Sequence, residues 1–252
     1  VLGNDRAILS RYDDSVVRII SAGSAGAAVQ MIRRARGFAP VPLKLARASA
    51  NPEAAAVPED AAAPEAIGAA CHGDSLETAG HEAAAVAPVL FAAGSEQKST
   101  FAFVRGSEAF VSQHVGDLEN AEAFDAWLDA KSRFEKLFEL RATRLACDAH
   151  PEYLASKWAR EQARKLNIPL VEVQHHHAHI ASVIGENGLS DAVCGIAFDG
   201  TGFGADGSIW GGEVLLANAQ AYERFANFAY VPMPGGAACV KNPLRMAYGV
   251  LW

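Results

Sequence analysis

The chain has 252 residues, half of them hydrophobic, and its 22 Lys+Arg against 29 Asp+Glu leave a net charge of −7. That length and apolar content support one or two domains with a real core and exclude a chain disordered throughout. The acidic balance argues against non-specific nucleic-acid binding, no apolar run reaches the ~20 residues that span a bilayer, and no secretory signal opens the chain, so a cytoplasmic protein with no nucleic-acid or membrane partner is expected.

In chain order, residues 1–45 hold strand-like runs at 7–9 and 16–20, followed by the basic cluster Arg33-Arg34-Ala35-Arg36-Gly37 ahead of Pro40 and Pro42. They read as the end of a domain. Over 46–88 the composition turns to Ala, Pro and Glu, with too few large apolar side chains to offset the entropy of ordering, and a linker is expected. A second domain starts at Val89 and runs to the end at 252. Its first strand covers 89–93, and a hairpin pairs 100–104 with 108–112 across the two-residue loop Gly106-Ser107. An amphipathic helix then sets Phe124, Trp127, Leu128, Phe134, Leu137 and Phe138 toward the core, interrupted by Lys131. A strand at 145–147, a helix over 152–166 and a strand at 170–173 follow. Next, 192–198 and 209–216 make a second hairpin around a Gly-rich loop, and Pro234-Gly235-Gly236-Ala237-Ala238 turns into an Ala-rich helix with Lys241 and Arg245. This mixture of elements predicts an α/β fold with ligands at the strand ends. The chain opens on Val1 rather than Met and stops at Trp252 inside an apolar, helix-like run, so we expect a fragment of a longer protein.

Three places carry candidate chemistry. His175 and His179 are four apart at the start of a helix, on one face, so both imidazoles can reach a single cation at about 2.0–2.1 Å. His176 with His179 is an alternative pair, whereas His177 points elsewhere and reads as a residue that either supports a ligand from behind or packs. In Asp199-Gly200-Thr201-Gly202-Phe203-Gly204-Ala205-Asp206-Gly207, an Asp at the end of a buried strand opens into a Gly-rich loop. Asp199 could be a third ligand, and the glycines let backbone N–H groups approach a phosphate. Gly211 and Gly212 suggest a bulge or a close ligand approach, and Glu213 could bind metal, orient a hydroxyl or form an ordinary salt bridge. The turn at Gly235 and Gly236, Lys98, and the Arg33, Arg34 and Arg36 cluster are weaker phosphate candidates. The four cysteines, Cys71, Cys147, Cys194 and Cys239, form no C-x-x-C pair; Cys147 and Cys194 fall in hydrophobic strands and read as inert buried thiols. No internal nucleophile pattern stands out.

The stretch Val173-Gln174-His175-His176-His177-Ala178-His179 and the loop from Asp199 through Glu213 resemble the HypF family of hydrogenase-maturation carbamoyltransferases. So do Ser112-Gln113-His114-Val115-Gly116-Asp117-Leu118 and Asp148-Ala149-His150-Pro151-Glu152-Tyr153. Residues 13–18 and 33–37 look like the end of the YrdC-like domain that precedes this region in the family. The resemblance implies an α/β architecture: the tail of a YrdC-like nucleotide-binding domain (1–45), the linker (46–88), and the first part of a metal-binding domain of the actin/Hsp70/sugar-kinase type (89–252). It implies formation of carbamoyl adenylate from carbamoyl phosphate and ATP, and transfer of the carbamoyl group to the C-terminal Cys thiol of a HypE-like acceptor, the precursor of the cyanide ligand of nickel–iron hydrogenase. It maps a divalent metal, zinc or iron, onto His175, His179 and Asp199, and places a further Asp ligand beyond Trp252. Nucleotide contacts would fall on Gly200, Thr201, Gly202, Gly204, Asp206, Gly211, Gly212, Glu213, Gly235, Gly236 and Lys98. For adenylation, Ser15, Arg34 and Arg36 are added. One departure is Lys98-Ser99-Thr100, where the family has Lys-Asn-Thr. The alternatives are a threonylcarbamoyltransferase acting on tRNA, which shares the metal pair, and a non-catalytic nucleotide- or metal-binding scaffold.

Overall fold

The structure, a computed structural model, describes residues 14–21, 27–45, 87–236 and 238–251. The expected strand at 7–9 and the expected linker as far as residue 86 lie outside the described residues. The chain divides into two compact units with a break between Val173 and Gln174.

In the first unit, β1 (Val16–Ser21) and β2 (Ala27–Arg33) form an antiparallel ribbon. A six-stranded sheet follows in the order β3-β6-β5-β4-β7-β8. Its strands are β3 (Leu43–Lys44), β4 (Val89–Ala92), β5 (Ala102–Arg105), β6 (Glu108–Val111), β7 (Arg144–Asp148) and β8 (Leu170–Val173). β5 and β6 meet across Gly106-Ser107, where Gly106 takes φ +60°, as the hairpin spacing required. β3 extends the edge of this sheet by pairing with β6, and Arg34 donates to the Val111 carbonyl at 2.9 Å, so the described part of 14–45 belongs to the same unit as 87–173.

The helix α1 (Ala121–Phe138) begins where Asn120 accepts a hydrogen bond from the Ala123 amide at 2.8 Å and ends where Glu139 turns left-handed. Trp127, Ala130 and Phe134 form its buried stripe on the sheet, flanked by Phe124, Leu128 and Phe138. Leu137, expected in the core, is 64% exposed because it falls off that stripe. Lys131, which interrupts the stripe, lays its stem over the core: its ammonium sits 5.4 Å from the Phe91 ring centre and 5.2 Å from Trp158, and pairs with Glu135 at 2.6 Å. The helix α2 (Leu154–Leu166) crosses between the parallel strands β7 and β8 and packs through Ala155, Ala159 and Ala163. It starts two residues later than the sequence suggested, and the Glu96 carboxylate accepts from the Leu154 amide at 2.8 Å there.

The second unit holds α3 (His175–Asn187), β9 (Val193–Phe203), β10 (Ile209–Ala217), β11 (Tyr222–Asn227), α4 (Ala238–Lys241) and α5 (Pro243–Leu251). Its sheet runs β11-β10-β9, antiparallel throughout. Four expectations change. β9 does not stop at 198: Gly202 pairs with Trp210 and Phe203 with Ile209, so Asp199 lies inside a strand and the connecting loop is only 204–208. β11 was not read from the sequence. The single C-terminal helix is two, because Pro243 has no amide hydrogen to continue α4 and instead starts α5. Finally, β9 is buried on one face only. Ala197 packs toward Ile180 and Ile184 of α3, while Ile196 and Phe198 are 62% and 71% exposed and Cys194 is exposed with them, not buried. Among the described residues, no helix is long and apolar enough to cross a membrane.

Candidate metal centre

The helix α3 starts directly after β8, and its N-cap is Gln174, whose side-chain oxygen accepts from the His177 amide at 2.9 Å. The first helical turn therefore carries three consecutive histidines with three different surroundings. His175 and His179, one turn apart, bring their Nε2 atoms to 3.2 Å. Asp199 reaches the pair from β9, with Oδ2 at 3.2 Å from His175 Nε2. One ligand atom from each of the three residues lies within 4.8 Å of the others. Two ligands at 2.0–2.1 Å from a tetrahedral cation are about 3.3–3.4 Å apart, so two of these separations match a shared cation. Two imidazoles and a carboxylate form a donor set suited to zinc or iron.

His176 is fully buried, its Nε2 has no hydrogen-bond partner, and it lies 3.9 Å from Asp199 Oδ2. Burial lowers its pKa, partly countered by the Asp199 charge. His177 turns the other way: its Nε2 meets the Asn218 carbonyl oxygen at 2.8 Å and its ring packs on Tyr222, the packing alternative of the two expected for it.

The glycines nearby are explained largely by this protein's own side chains. A Cβ at Gly202 would stand 2.1 Å from His176 Cε1, one at Gly204 would stand 2.2 Å from Trp210 Nε1, and one at Gly212 would stand 2.5 Å from Phe228. These three leave room for packing, and no ligand is needed to explain them. Gly211 sits at a register shift in β10, the bulge that the glycine pair suggested. Gly200 and Gly236 face open space, while a Cβ at Gly235 would meet Arg245.

Two acidic residues expected at a nucleotide are committed internally. Asp206 Oδ1 accepts from the Ser208 amide and hydroxyl and from Trp210 Nε1, and its Oδ2 accepts from Tyr230 and Arg224. These bonds hold its carboxyl well below the usual range. Glu213 is buried and accepts from Arg224 Nε at 2.7 Å, the salt-bridge alternative, while the Arg224 guanidinium lies 4.0 Å over the Trp210 ring. Both carboxylates meet the same partner, because β11 delivers Arg224 to them.

The chain matches the family model described as HypF Kae1-like domain over residues 85–186, and that of the second subdomain of the Kae1-like carbamoyltransferase domain over 195–252. The chain belongs to the HypF carbamoyltransferase family. Its relatives include carbamoyltransferase HypF2 of Cupriavidus necator, 38% identical over 98% of this chain, and carbamoyltransferase HypF of Rhizobium leguminosarum bv. viciae, 33% identical over 100%. This chain spans 26% and 27% of their lengths. A crystal structure of full-length HypF in its phosphate- and nucleotide-bound form superposes with a TM-score of 0.74 at 35% identity, over 98% of this chain and 32% of that one. The HypF of T.kodakarensis gives 0.71 at 33% identity, over 96% and 26%.

The remaining expected HypF positions lie in the first unit. Lys98 is exposed at φ +50°, its amide donating to Asp117. Ser15 Oγ accepts from the Ala35 amide and donates to the Arg36 carbonyl, and the exposed Arg36 pairs with Asp14 at 3.5 Å. Arg34 donates to the carbonyls of Val111, Phe38 and Val41, so its guanidinium ties down backbone where a phosphate contact was expected. The Asp148–Tyr153 motif is a loop held by Arg160, which bonds Glu172 and the Ala149 and Pro151 carbonyls. Sequence reasoning missed Gln174, Arg224 and Tyr230. Gln174 had a readable signal as the polar residue just ahead of the helix; Arg224 and Tyr230 had none.

Proposed function

We propose that this chain is part of an ATP-dependent carbamoyltransferase of hydrogenase maturation, with carbamoyl phosphate as donor and the C-terminal Cys thiol of a HypE-like protein as acceptor. The convergence of His175, His179 and Asp199 on one point, in a member of the HypF family, carries this reading. The description of a HypF relative as phosphate- and nucleotide-bound adds support for the nucleotide. In the proposed sequence, carbamoyl phosphate is hydrolysed to carbamate and phosphate. A carbamate oxygen then attacks the α-phosphorus of ATP, forming carbamoyl adenylate and releasing pyrophosphate. The acceptor thiolate attacks the carbamoyl carbon; the C–S bond forms, the C–O bond to AMP breaks, and the thiol proton goes to solvent.

When bound, a zinc or iron ion would supply Lewis acidity at the carbamoyl oxygen and charge compensation for AMP. His175 and His179 would hold it through Nε2 and Asp199 through its carboxylate, on the rigid junction of α3 and β9. Gly200, facing open space, and the backbone of Thr201 lie next to Asp199 in the strand, with Gly211 at the register shift of the neighbouring β10; these would be nucleotide positions, with Gly235 and Gly236 as further phosphate contacts. Cys147 is no substitute for an external thiol, since burial pushes it up to about 11 and it stays protonated at neutral pH.

Two measurements test the reading. His175→Ala and His179→Ala are expected to reduce bound zinc or iron by about tenfold or more, whereas His177→Ala keeps metal and loses thermal stability instead. Equal metal content in all three overturns the ligand assignment. In the protein that carries this chain, carbamoyl phosphate is expected to drive exchange of pyrophosphate into ATP. Exchange only with threonine and bicarbonate moves the protein to tRNA modification, and exchange with neither makes it a non-catalytic scaffold.

A further inference from the structure

The hydrogen bonds around Gln174 determine which nitrogen of His176 carries the proton. Gln174 Oε1 accepts from the His177 amide at 2.9 Å, so its Nε2 is the donor end, and that nitrogen donates to the Phe203 carbonyl at 3.1 Å and faces His176 Nδ1 at 3.2 Å. His176 Nδ1 must then be the acceptor, which puts the ring hydrogen on Nε2. That N–H is buried with no acceptor in reach, and Asp199 Oδ2 is the carboxylate oxygen beside it at 3.9 Å. Asp199 Oδ1 is tied to the Gly200 amide at 2.6 Å, so the carboxylate can pivot while Oδ2 stays between His175 and His176. A bare Gly202 is what lets the ring lie there.

We propose that His176 is a positioning residue and not a ligand: its Nε2–H closes on Asp199 Oδ2 and orients that carboxylate toward the point shared with His175 and His179. This inference rests on the metal reading above, and it excludes the alternative pairing of His176 with His179. A nitrogen that keeps its hydrogen has no lone pair for a cation, and the other nitrogen is occupied by Gln174. Carboxylates and imidazoles that orient ligands in this way commonly set metal affinity by 10- to 100-fold.

The test uses the protein that carries this chain, with Co²⁺ as an optical probe. Relative to the unsubstituted protein, His176→Leu is expected to weaken Co²⁺ binding about 10- to 100-fold. His176→Gln, which offers an N–H at a comparable reach, is expected to recover most of that loss, and a role in packing alone would not distinguish the two in Leu's disfavour. Nitrogen-15 NMR of the metal-free, unsubstituted protein is expected to show His176 with a protonated Nε2 and a bare Nδ1, a readout that needs no variant to fold. The opposite tautomer overturns the proposal. Equal Co²⁺ affinity in the unsubstituted protein and His176→Leu, with His175→Ala still unable to bind, overturns positioning by His176 but leaves the site standing. Failure of the unsubstituted protein to bind Co²⁺ overturns the site and this inference together.

Discussion

Asp206 shows how a carboxylate in a Gly-rich loop can serve the fold. It gathers the Ser208 amide and hydroxyl, the Trp210 indole, Tyr230 and Arg224 into one network, and this favours its ionised form. The sign of the pH effect follows. A carboxyl whose folded pKa is depressed adds stability above its unfolded value of about 3.9, and loses that contribution as pH falls through the folded value. The side chain is 45% exposed, so solvent screens part of the gain. Asp206→Asn is therefore expected to be less stable than the unsubstituted chain at pH 7, with the gap narrowing progressively below about pH 4. Thermal midpoints measured from pH 3 to pH 7 check this, and parallel curves for the two proteins would contradict it.

At the scale of single elements, α1 depends on a local cap and on a distant packing surface. Asn120 satisfies one of the free amides of the first turn, and Asn120→Ala is expected to cost about 1 kcal/mol, read as a lower urea midpoint at unchanged slope. The packing surface explains Lys131, which breaks the apolar period yet lies only 15% exposed: four methylenes cover the aromatic cluster and the charge ends on Glu135. The helix was legible because a period of 3.6 residues is written within its own length. The fate of Leu137 was not, since the width of the buried stripe depends on how far the sheet extends beneath it. The extra length of β9 has a similar origin. Gly200 and Gly202 look like loop residues, but β10 pairs with this stretch and keeps it extended through Phe203.

At the scale of the molecule, the first unit is built around aromatic side chains. Phe91, with no exposure, contacts Phe103 at 4.7 Å, Trp158 at 5.6 Å and Trp127 at 5.8 Å between ring centres. Phe91→Ala is expected to destabilise this unit by about 3–5 kcal/mol, and Trp127 and Trp158 fluorescence followed through denaturation measures it. The sequence by itself determined the strands and helices of this core, the Gly106-Ser107 hairpin, and the placing of His175 and His179 on one helical face. Each of these depends on spacings of two to four residues, which the backbone converts to geometry locally. Tertiary structure alone decided that Asp199 meets those histidines from inside a strand, that Arg224 of β11 takes Glu213 and Asp206, that Arg34 binds carbonyls, and that Cys194 faces outward. Those outcomes depend on strand register and on which face of a sheet a helix covers, and both are set by contacts between residues far apart in the chain.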